Sequence, residues 1–248
     1  TDCGDTVLIL VDLGQGRQRL GGSIFAQVTQ QIGNDAPDVD QPAQLAAAIG
    51  ALRRLAAQGR VLAYHDRSDG GLFAAVCEMA FAGHCGVTMN IDVLAIDPVA
   101  SDWGDFKIRP EQVAVRRDEL TLRALLNEEL GLLLQVRADQ RSVVMDALRA
   151  AGLGAASHIV GKVQTGSQAR DTIEIWRDAR SIFEMPRADL QRTWSEVSWR
   201  IARLRDNPQC AQEEYDRILD AADPGLSAKL TFDPEEKIAA PYIGRSAR

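Results

Sequence analysis

The sequence predicts a layered α/β (α+β) sandwich, in which a mixed β-sheet is flanked by helices. Short apolar, β-branched runs typical of buried strands are interspersed with segments whose apolar residues recur at helical spacing. The chain has 248 residues, enough for one sizeable domain with an extension. Its composition, 46% apolar and 25% charged, is that of an ordinary globular protein.

The first half of the chain predicts strands at 6–12 (TVLILVD), 61–64 and 87–91. Ser23 suits the N-cap of a first helix, and the apolar stripe of that helix is Ile24, Phe25, Val28 and Ile32. A second helix ends at Gly59, and its core positions are Leu45, Ile49, Leu52 and Ala56. A third helix presents Leu72, Val76, Met79 and Gly83 on one face, and His84 suits its C-terminal cap.

The second half begins with residues 98–117, which show no clear period and predict a surface insertion. Helices are expected at 120–129, 139–151 and 186–205, and strands at 130–136, 158–163, 172–176 and 181–185. The inward-facing positions of the helix at 139–151 are Val143, Val144, Ala147, Leu148 and Ala151. The longest helix carries the stripe Leu190, Trp194, Val197, Ile201 and Leu204. Residues 221–248 resemble a linker with one strand-like patch at 230–232.

The segment YHDRSDGGL, residues 64–72, is the strongest functional signal in the chain. It joins a predicted strand to a predicted helix through a turn that carries oxygen-bearing side chains and two glycines. The free N–H groups and the dipole of a helix start favour a bound anion. A carboxylate at a strand end, facing phosphate oxygens, is a typical Mg²⁺ ligand. The turn therefore predicts a phosphate or metal site.

Asp66 is the expected metal ligand, and the Ser68 hydroxyl can donate to a phosphate oxygen or to a metal-bound water. Gly70 and Gly71 let the backbone approach a ligand closely. The residues alone leave an alternative open, in which Asp66 or Ser68 only caps the helix and the glycines form a tight turn. Asp69 fits a helix cap better than a second metal ligand.

Other residues have a structural interpretation beside a functional one or in its place. Arg67 points away from the site along the strand alternation and is expected to pair with an acid. LGGS, residues 20–23, either holds an anion or is an ordinary helix start. Glu128 can reach the site, although most acids in such a position are solvated, and His65 fits a hydrogen-bonded strand-end residue better than a general base. Core packing accounts for Trp194, whereas Trp199 can face a neighbouring domain.

Several function classes are disfavoured by composition. A net charge of -7 and a pI of about 5.1 argue against non-specific nucleic-acid binding, and no apolar run is long enough to cross a membrane. Cys3, Cys77, Cys85 and Cys210 show no CxxC spacing, so we expect free thiols and a cytoplasmic, reducing location. No signal peptide follows Thr1, and a start without Met is compatible with a fragment of a longer protein.

The segment AYHDRSDGGLFAAVCEMAFAGHCGV closely resembles the second such motif of the large, single-chain phosphoribosylformylglycinamidine synthases of purine biosynthesis. The resemblance continues in the same order through LLNEELGLLLQV, TWSEVSWRIARLRDNPQCAQEEYD, ADPGLSAKLTFD and AAPYIGRSAR, and only residues 97–119 depart from it. It implies that residues 1–206 form a domain like the C-terminal domain of aminoimidazole ribonucleotide synthetase, in the second half of the synthase region. Residues 97–119 would be an insertion, and 207–248 a linker toward a glutaminase domain.

The resemblance also implies a chemistry. Enzymes of this family use ATP and glutamine to convert formylglycinamide ribonucleotide into its amidine. Asp66 matches the family's Mg²⁺ ligand in this motif and Ser68 matches a residue that contacts the bound nucleotide, ATP or ADP. The remaining metal ligands would belong to the preceding synthase domain, and no cysteine here matches the glutaminase nucleophile. Two hypotheses follow: the chain forms one wall of a catalytic nucleotide site, or it is a scaffold whose ADP–Mg²⁺ is structural.

Overall fold

The computed structural model describes residues 5–97, 110–166, 169–223, 225 and 228–237, with the backbone alone for 110–114. The strands are β1 (Thr6–Asp12), β2 (Ala63–Asp66), β3 (Val87–Asn90), β4 (Gly131–Arg137), β5 (Ser157–Val163), β6 (Thr172–Arg177) and β7 (Arg180–Pro186). The helices are α1 (Ile24–Val28), α2 (Pro42–Ala57), α3 (Gly71–Gly83), α4 (Pro110–Leu126), α5 (Arg141–Ala150), α6 (Arg187–Arg205) and α7 (Pro208–Arg217).

The described strands form one seven-stranded sheet in the order β2-β4-β1-β5-β3-β6-β7. Neighbouring strands are antiparallel except for β3 and β6, which run parallel, so the sheet is mixed. β1 lies between β4 and β5 near the centre, while β2 and β7 are the two edges. This arrangement, with helices packed on it, confirms the predicted α/β fold class.

Helices cover both faces of the central strands. Leu8 and Leu10 of β1 point into a core that includes side chains of α3 and α4. Ile9 and Val11 point into a second core formed with α2 and α5. Because successive strand residues face opposite sides, a strand covered on both faces must be apolar at nearly every position, which explains the continuous TVLILVD run. Among the described helices, none combines the length and apolarity needed to cross a bilayer.

The prediction of the strand before the HDRSDGG segment is wrong in its bounds and its burial. Residues 61–64 were expected to form a buried strand, but β2 begins two residues later, at Ala63, and pairs on one side with β4. As an edge strand it is only partly covered, and Tyr64 is 44% exposed. The predicted short helix at 120–129 also differs, since α4 starts at Pro110 and ends at Leu126.

Several predicted apolar stripes face the core only in part. α1 has only five residues and ends before Ile32, and Ile24 and Val28 are exposed. In α2 the buried positions are Ala48, Ala51 and Leu55, which leaves Ile49 exposed and the stripe rotated from the predicted one. Val143 of α5 is likewise exposed. In α2 the alanines Ala48 and Ala51 are buried most deeply, while Leu45 and Leu52 of the predicted stripe are partly buried against the same core.

The long helix α6 shows the largest departure from the predicted packing. Leu190 contacts the core, but the next four residues of the stripe are exposed: Trp194, Val197, Ile201 and Leu204. Trp194 is 60% exposed, so core packing does not account for it, although its ring lies 5.9 Å from that of Phe81. α6 packs against α3 and α7, and Val197, Ile201 and Leu204 of its stripe remain exposed.

The tail after α6 is more structured than a linker at its beginning. Asn207 caps α7 by accepting hydrogen bonds from the N–H groups of Gln209 and Cys210. Tyr215 of α7 stacks on Trp199 of α6 at 4.5 Å, which accounts for Trp199 within this chain. Residues 230–232 form no strand, so that prediction is wrong. Residues 98–109 of the predicted insertion lie outside the described residues, and the boundary at 206 stays a prediction.

Candidate functional site

Three turns meet at one edge of the sheet. β1 and β2 both run antiparallel to β4, so their carboxyl ends lie beside its beginning. The register pairs Asp12 with Gly131 and Asp66 with Leu132. The post-β1 loop (13–19), the HDRSDGG turn (65–71) and the NEE turn (127–129) are therefore neighbours. The site predicted from the HDRSDGG segment lies at this edge.

Asp66 ends β2 with its carboxylate in solvent, where the side chain is 67% exposed. Ser68 is also exposed, and its carbonyl accepts the N–H of Gly71 at 2.9 Å. The two predicted ligand residues thus project from one turn, and both are accessible. A hard cation such as Mg²⁺ uses few protein carboxylates and keeps several waters, so an accessible carboxylate at a strand end fits it.

None of the residues proposed as caps takes the N-cap position of α3. The helix begins at Gly71, and its N-cap is Gly70, in the left-handed conformation with φ of 78°. Asp69 is exposed, so its prediction as the helix cap is wrong. Gly71 also has positive φ, and a Cβ there would lie 2.6 Å from the Asn127 carbonyl oxygen. The two glycines are needed because the turn has left-handed backbone pressed against the NEE turn.

Arg67 is buried, and its side chain attaches the HDRSDGG turn to the end of β1 and to the NEE turn. Its guanidinium donates to Asp12 Oδ1 at 2.6 Å, to the Glu129 carbonyl at 2.6 Å and to the Leu130 carbonyl at 3.0 Å. The Arg67 N–H also donates to the Gly131 carbonyl at 2.8 Å. This confirms the prediction that Arg67 pairs with an acid, and the acid is Asp12.

Asp12 and Glu129 are framework residues that sequence reasoning missed. The Asp12 carboxylate accepts the N–H groups of Gly14 at 3.2 Å and Gly16 at 2.8 Å, which folds the post-β1 loop over the strand end. Glu129 is 1% exposed and accepts two hydrogen bonds from the Arg19 guanidinium, at 2.7 and 2.9 Å. Hydrogen bonding to Glu129 raises the pKa of Arg19 above its ordinary value. The sequence did contain a signal for both residues: Asp12 is an acid at the last position of an apolar strand, and Glu129 is an acid shortly before another apolar strand.

Glu128, in the NEE turn, joins the HDRSDGG turn to the start of α1. One oxygen, Oε1, accepts the N–H of Gly70 at 2.8 Å and the N–H of Ile24 at 2.8 Å. Glu128 therefore reaches the backbone of the HDRSDGG turn and is not simply solvated, and a contact with a ligand stays a prediction. Ser23 caps α1 by accepting the Ala26 N–H at 3.2 Å, so the LGGS segment is an ordinary helix start.

His65 is satisfied at both ring nitrogens. Its Nδ1 lies 2.6 Å from the Asp66 carbonyl oxygen, and its Nε2 lies 2.8 Å from Glu78 Oε2. This is the arrangement expected for a strand-end residue held by its neighbours. His84 takes the left-handed C-cap position of α3, as predicted.

The described residues contain no group of three or more His, Cys, Asp or Glu side chains arranged to hold a metal. Asp66 can therefore supply one ligand, and a firmly held ion needs further ligands from outside this set.

A cleft of about 540 Å³ opens beside Asp12, and its polar lining includes Gln15, Gln18 and His158. Cys77 and Cys210 are free thiols, while Cys3 lies outside the described residues.

Comparison with solved structures finds similar folds in larger proteins. Phosphoribosylformylglycinamidine synthase II from Thermotoga maritima is 15% identical, with a TM-score of 0.49, over 73% of this chain and 25% of that one. T. maritima PurL complexed with FGAR is 15% identical, with a TM-score of 0.49, over 75% and 27%. E. coli HypE, a hydrogenase maturation protein, is 23% identical, with a TM-score of 0.40, over 68% and 45%.

This chain thus spans about a quarter of the length of the T. maritima structures and less than half of the E. coli one. Sequence comparison gives a more direct result. A family model described as AIR synthase related protein, C-terminal domain, matches residues 4–173, which is more than half of the chain and includes β1 to β5 with the three turns of the site. The chain belongs to the family of AIR synthase related proteins, as their C-terminal domain.

Proposed function

We propose that this chain is part of a large, single-chain phosphoribosylformylglycinamidine synthase. That enzyme is an ATP- and glutamine-dependent carbon–nitrogen ligase of purine biosynthesis, and it converts formylglycinamide ribonucleotide to the amidine. Family membership supports the domain type. The ordered series of motifs from AYHDRSDGG to AAPYIGRSAR supports the particular enzyme.

Within that enzyme, Asp66 would bind Mg²⁺ and Ser68 would contact the nucleotide, ATP or ADP. The observation that carries this assignment is that some groups of the HDRSDGG turn are bonded within the protein while others face solvent. Arg67 is buried in the framework, and the Gly70 N–H is bonded to Glu128. Asp66 and Ser68 are left facing solvent from a turn whose backbone is fixed.

Mg²⁺ bound at Asp66 would offset the negative charge of the nucleotide phosphates, which is the chemistry that the metal supplies in ATP-dependent enzymes. The residues of this chain would act by placement. Asp66 would hold the ion at the strand end, and Ser68 would donate a hydrogen bond to a phosphate oxygen or to a water on the metal. The ion pair of Arg67 with Asp12 keeps the turn in place.

The other wall of the site would come from the preceding synthase domains, and ammonia from a glutaminase domain that follows. The exposed apolar residues of α6 support this arrangement, because Trp194, Val197, Ile201 and Leu204 are 56–90% exposed. Alone, the 248-residue chain is expected to bind Mg²⁺–nucleotide weakly and to show no amidination activity.

The same exposed face favours a second candidate function. In that case the domain is a scaffold, and its ADP–Mg²⁺ is a structural ligand that stabilises the folded state by binding to it alone. Both candidates use Asp66 in the same way, and they differ in whether the bound nucleotide is turned over.

Asp66→Ala in the full-length enzyme tests the assignment and separates the candidates. Asp69→Ala is the matched control, because Asp69 is an exposed carboxylate on the same turn and does not cap α3. For the catalytic candidate, we expect Asp66→Ala to abolish turnover at normal thermal stability. For the scaffold candidate, we expect a lower melting temperature with near-normal turnover per folded molecule. If Asp66→Ala behaves like the control in both measurements, the assignment of Asp66 is wrong.

A further inference from the structure

We propose that Glu128 is a positioning residue that locks the HDRSDGG turn to the start of α1 and thereby fixes the direction in which Asp66 and Ser68 project. The ligand consequence rests on the nucleotide site proposed above, whereas the lock itself can be tested without any ligand. Glu128 belongs to neither turn, since it lies 58 residues after Gly70 and 104 residues after Ile24.

The first argument is that α3 lacks a cap from its own turn. Gly70 has no side chain to accept the first N–H groups of the helix, and no side-chain cap bond is made at this position. An uncapped helix start leaves donors without partners, which is unfavourable where water is partly excluded. The Glu128 carboxylate meets this need from a distant part of the chain, and its negative charge suits the positive end of the helix dipole.

The second argument is that the same oxygen also accepts the N–H of Ile24, at the first position of α1. Ser23 accepts the Ala26 N–H and leaves the Ile24 N–H for Glu128. One atom therefore joins the beginnings of two helices that are otherwise far apart in sequence. A displacement of either helix start must move the shared carboxylate, so the two turns are mechanically coupled.

The third argument is that Glu128 is itself held firmly. Its neighbours Asn127 and Glu129 are each 1% exposed. The Asn127 amide donates to the Arg123 carbonyl at 2.6 Å, and Glu129 is paired with Arg19. The buried neighbours on both sides fix the backbone of Glu128, so its side chain joins the HDRSDGG turn to the start of α1 from a fixed position.

Glu128 occupies the Gly70 N–H, so this donor serves the framework and not a bound anion. In the proposed site, the ligand groups of the turn are therefore the Asp66 carboxylate and the Ser68 hydroxyl. This distinguishes a positioning role from a ligand role. Glutamine keeps the carbonyl oxygen that accepts both N–H groups, so Glu128→Gln should rescue a positioning role and fail to rescue a metal-ligand role.

The experiment compares amide hydrogen exchange in the 248-residue chain for Glu128→Ala, Glu128→Gln and the control Glu119→Gln. Glu119 is an exposed carboxylate on α4 whose partner is Arg123. We expect Glu128→Ala to speed exchange at Gly70 and at Ile24 together by about tenfold, with Gln restoring most of the protection and the control unchanged. The proposal is overturned if exchange is faster at only one of these two amides. It is also overturned if Glu128→Ala and Glu128→Gln lose protection equally.

A second measurement addresses the ligand consequence. In the full-length enzyme, Glu128→Ala should weaken Mg²⁺–ADP binding by about 10–100-fold, as supporting residues around metal sites typically do, and Gln should recover most of it. Equal affinity in the Ala variant and the wild type overturns the positioning role at the site. Absence of Mg²⁺–ADP binding in the wild type would refute the proposed function, while the exchange data would still decide on the lock.

Discussion

Replacing Arg67 by methionine should destabilise the domain strongly, because it leaves the Asp12 carboxylate buried without its cation. The two side chains are 2% and 8% exposed and are joined at 2.6 Å. Arg67 also satisfies the carbonyl oxygens of Glu129 and Leu130. Breaking a buried pair by removing one partner costs about 3–5 kcal/mol, since the remaining charge has lost its compensation.

Two features of the structure change the free-energy loss expected for Arg67→Met, in opposite directions. Asp12 keeps the N–H groups of Gly14 and Gly16, which lowers the cost of the unpaired charge. The two carbonyl groups lose their donor, which raises it. We therefore retain about 3–5 kcal/mol, equivalent to a fall in melting temperature of about 6–20 °C for a domain of this size.

Urea unfolding followed by circular dichroism measures the free energy of unfolding. The control is Arg149→Met, because Arg149 forms an exposed pair with Asp146 whose loss should cost less than about 1 kcal/mol. Combining Arg67→Met with Asp12→Asn should cost less than the sum of the two single changes, since the double variant has no unpaired charge. A loss below about 1 kcal/mol for Arg67→Met would refute the role of the ion pair as the support of the turn.

Three further outcomes are expected. Gly71→Ala should lower the free energy of unfolding by about 1–3 kcal/mol because the added Cβ overlaps backbone, and Gly59→Ala, also at positive φ but with open space, should cost less. Burial raises the pKa of the Cys77 thiol to about 12, so iodoacetamide at pH 8 should label the exposed Cys210 and spare Cys77 in the native protein, as peptide mass spectrometry can show. Tyr215→Ala should release α7 from α6 and speed proteolysis within α7, whereas unchanged cleavage would show that the ring stack does not hold it.

The sequence predicted the elements of the fold because apolar periodicity reports local burial. The TVLILVD strand and the helix after the HDRSDGG turn appear where expected. The prediction was wrong where burial depends on tertiary context. α2 buries small residues such as Ala48, and the apolar stripe of α6 is exposed at Trp194. Periodicity shows that a face is apolar without showing what covers it.

The candidate site divides in the same way. Asp66 and Ser68 could be chosen as candidates from the motif, because the turn carries a carboxylate that can bind a metal and a hydroxyl that can donate to a phosphate oxygen, and their ligand roles stay predictions. The framework could not be chosen. Asp12 and Glu129 reach the turn through pairings between β1, β2 and β4 that no local pattern encodes. The local sequence also misplaced the helix cap, because the N-cap is Gly70 and not Asp69, and the Gly70 N–H is bonded to the distant Glu128.

The central claim is that Asp66 binds the metal of a metal–nucleotide complex. Its most direct test is to add Mn²⁺–ADP to the ¹⁵N-labelled chain and to map which amide signals are broadened by the paramagnetic ion. Mn²⁺ takes the oxygen ligands that Mg²⁺ prefers and broadens the signals of nearby amides. We expect the strongest broadening at the HDRSDGG turn, its loss in Asp66→Ala and its retention in Asp69→Ala. Broadening centred elsewhere, or unchanged in Asp66→Ala, would contradict the assignment of Asp66 as the metal ligand.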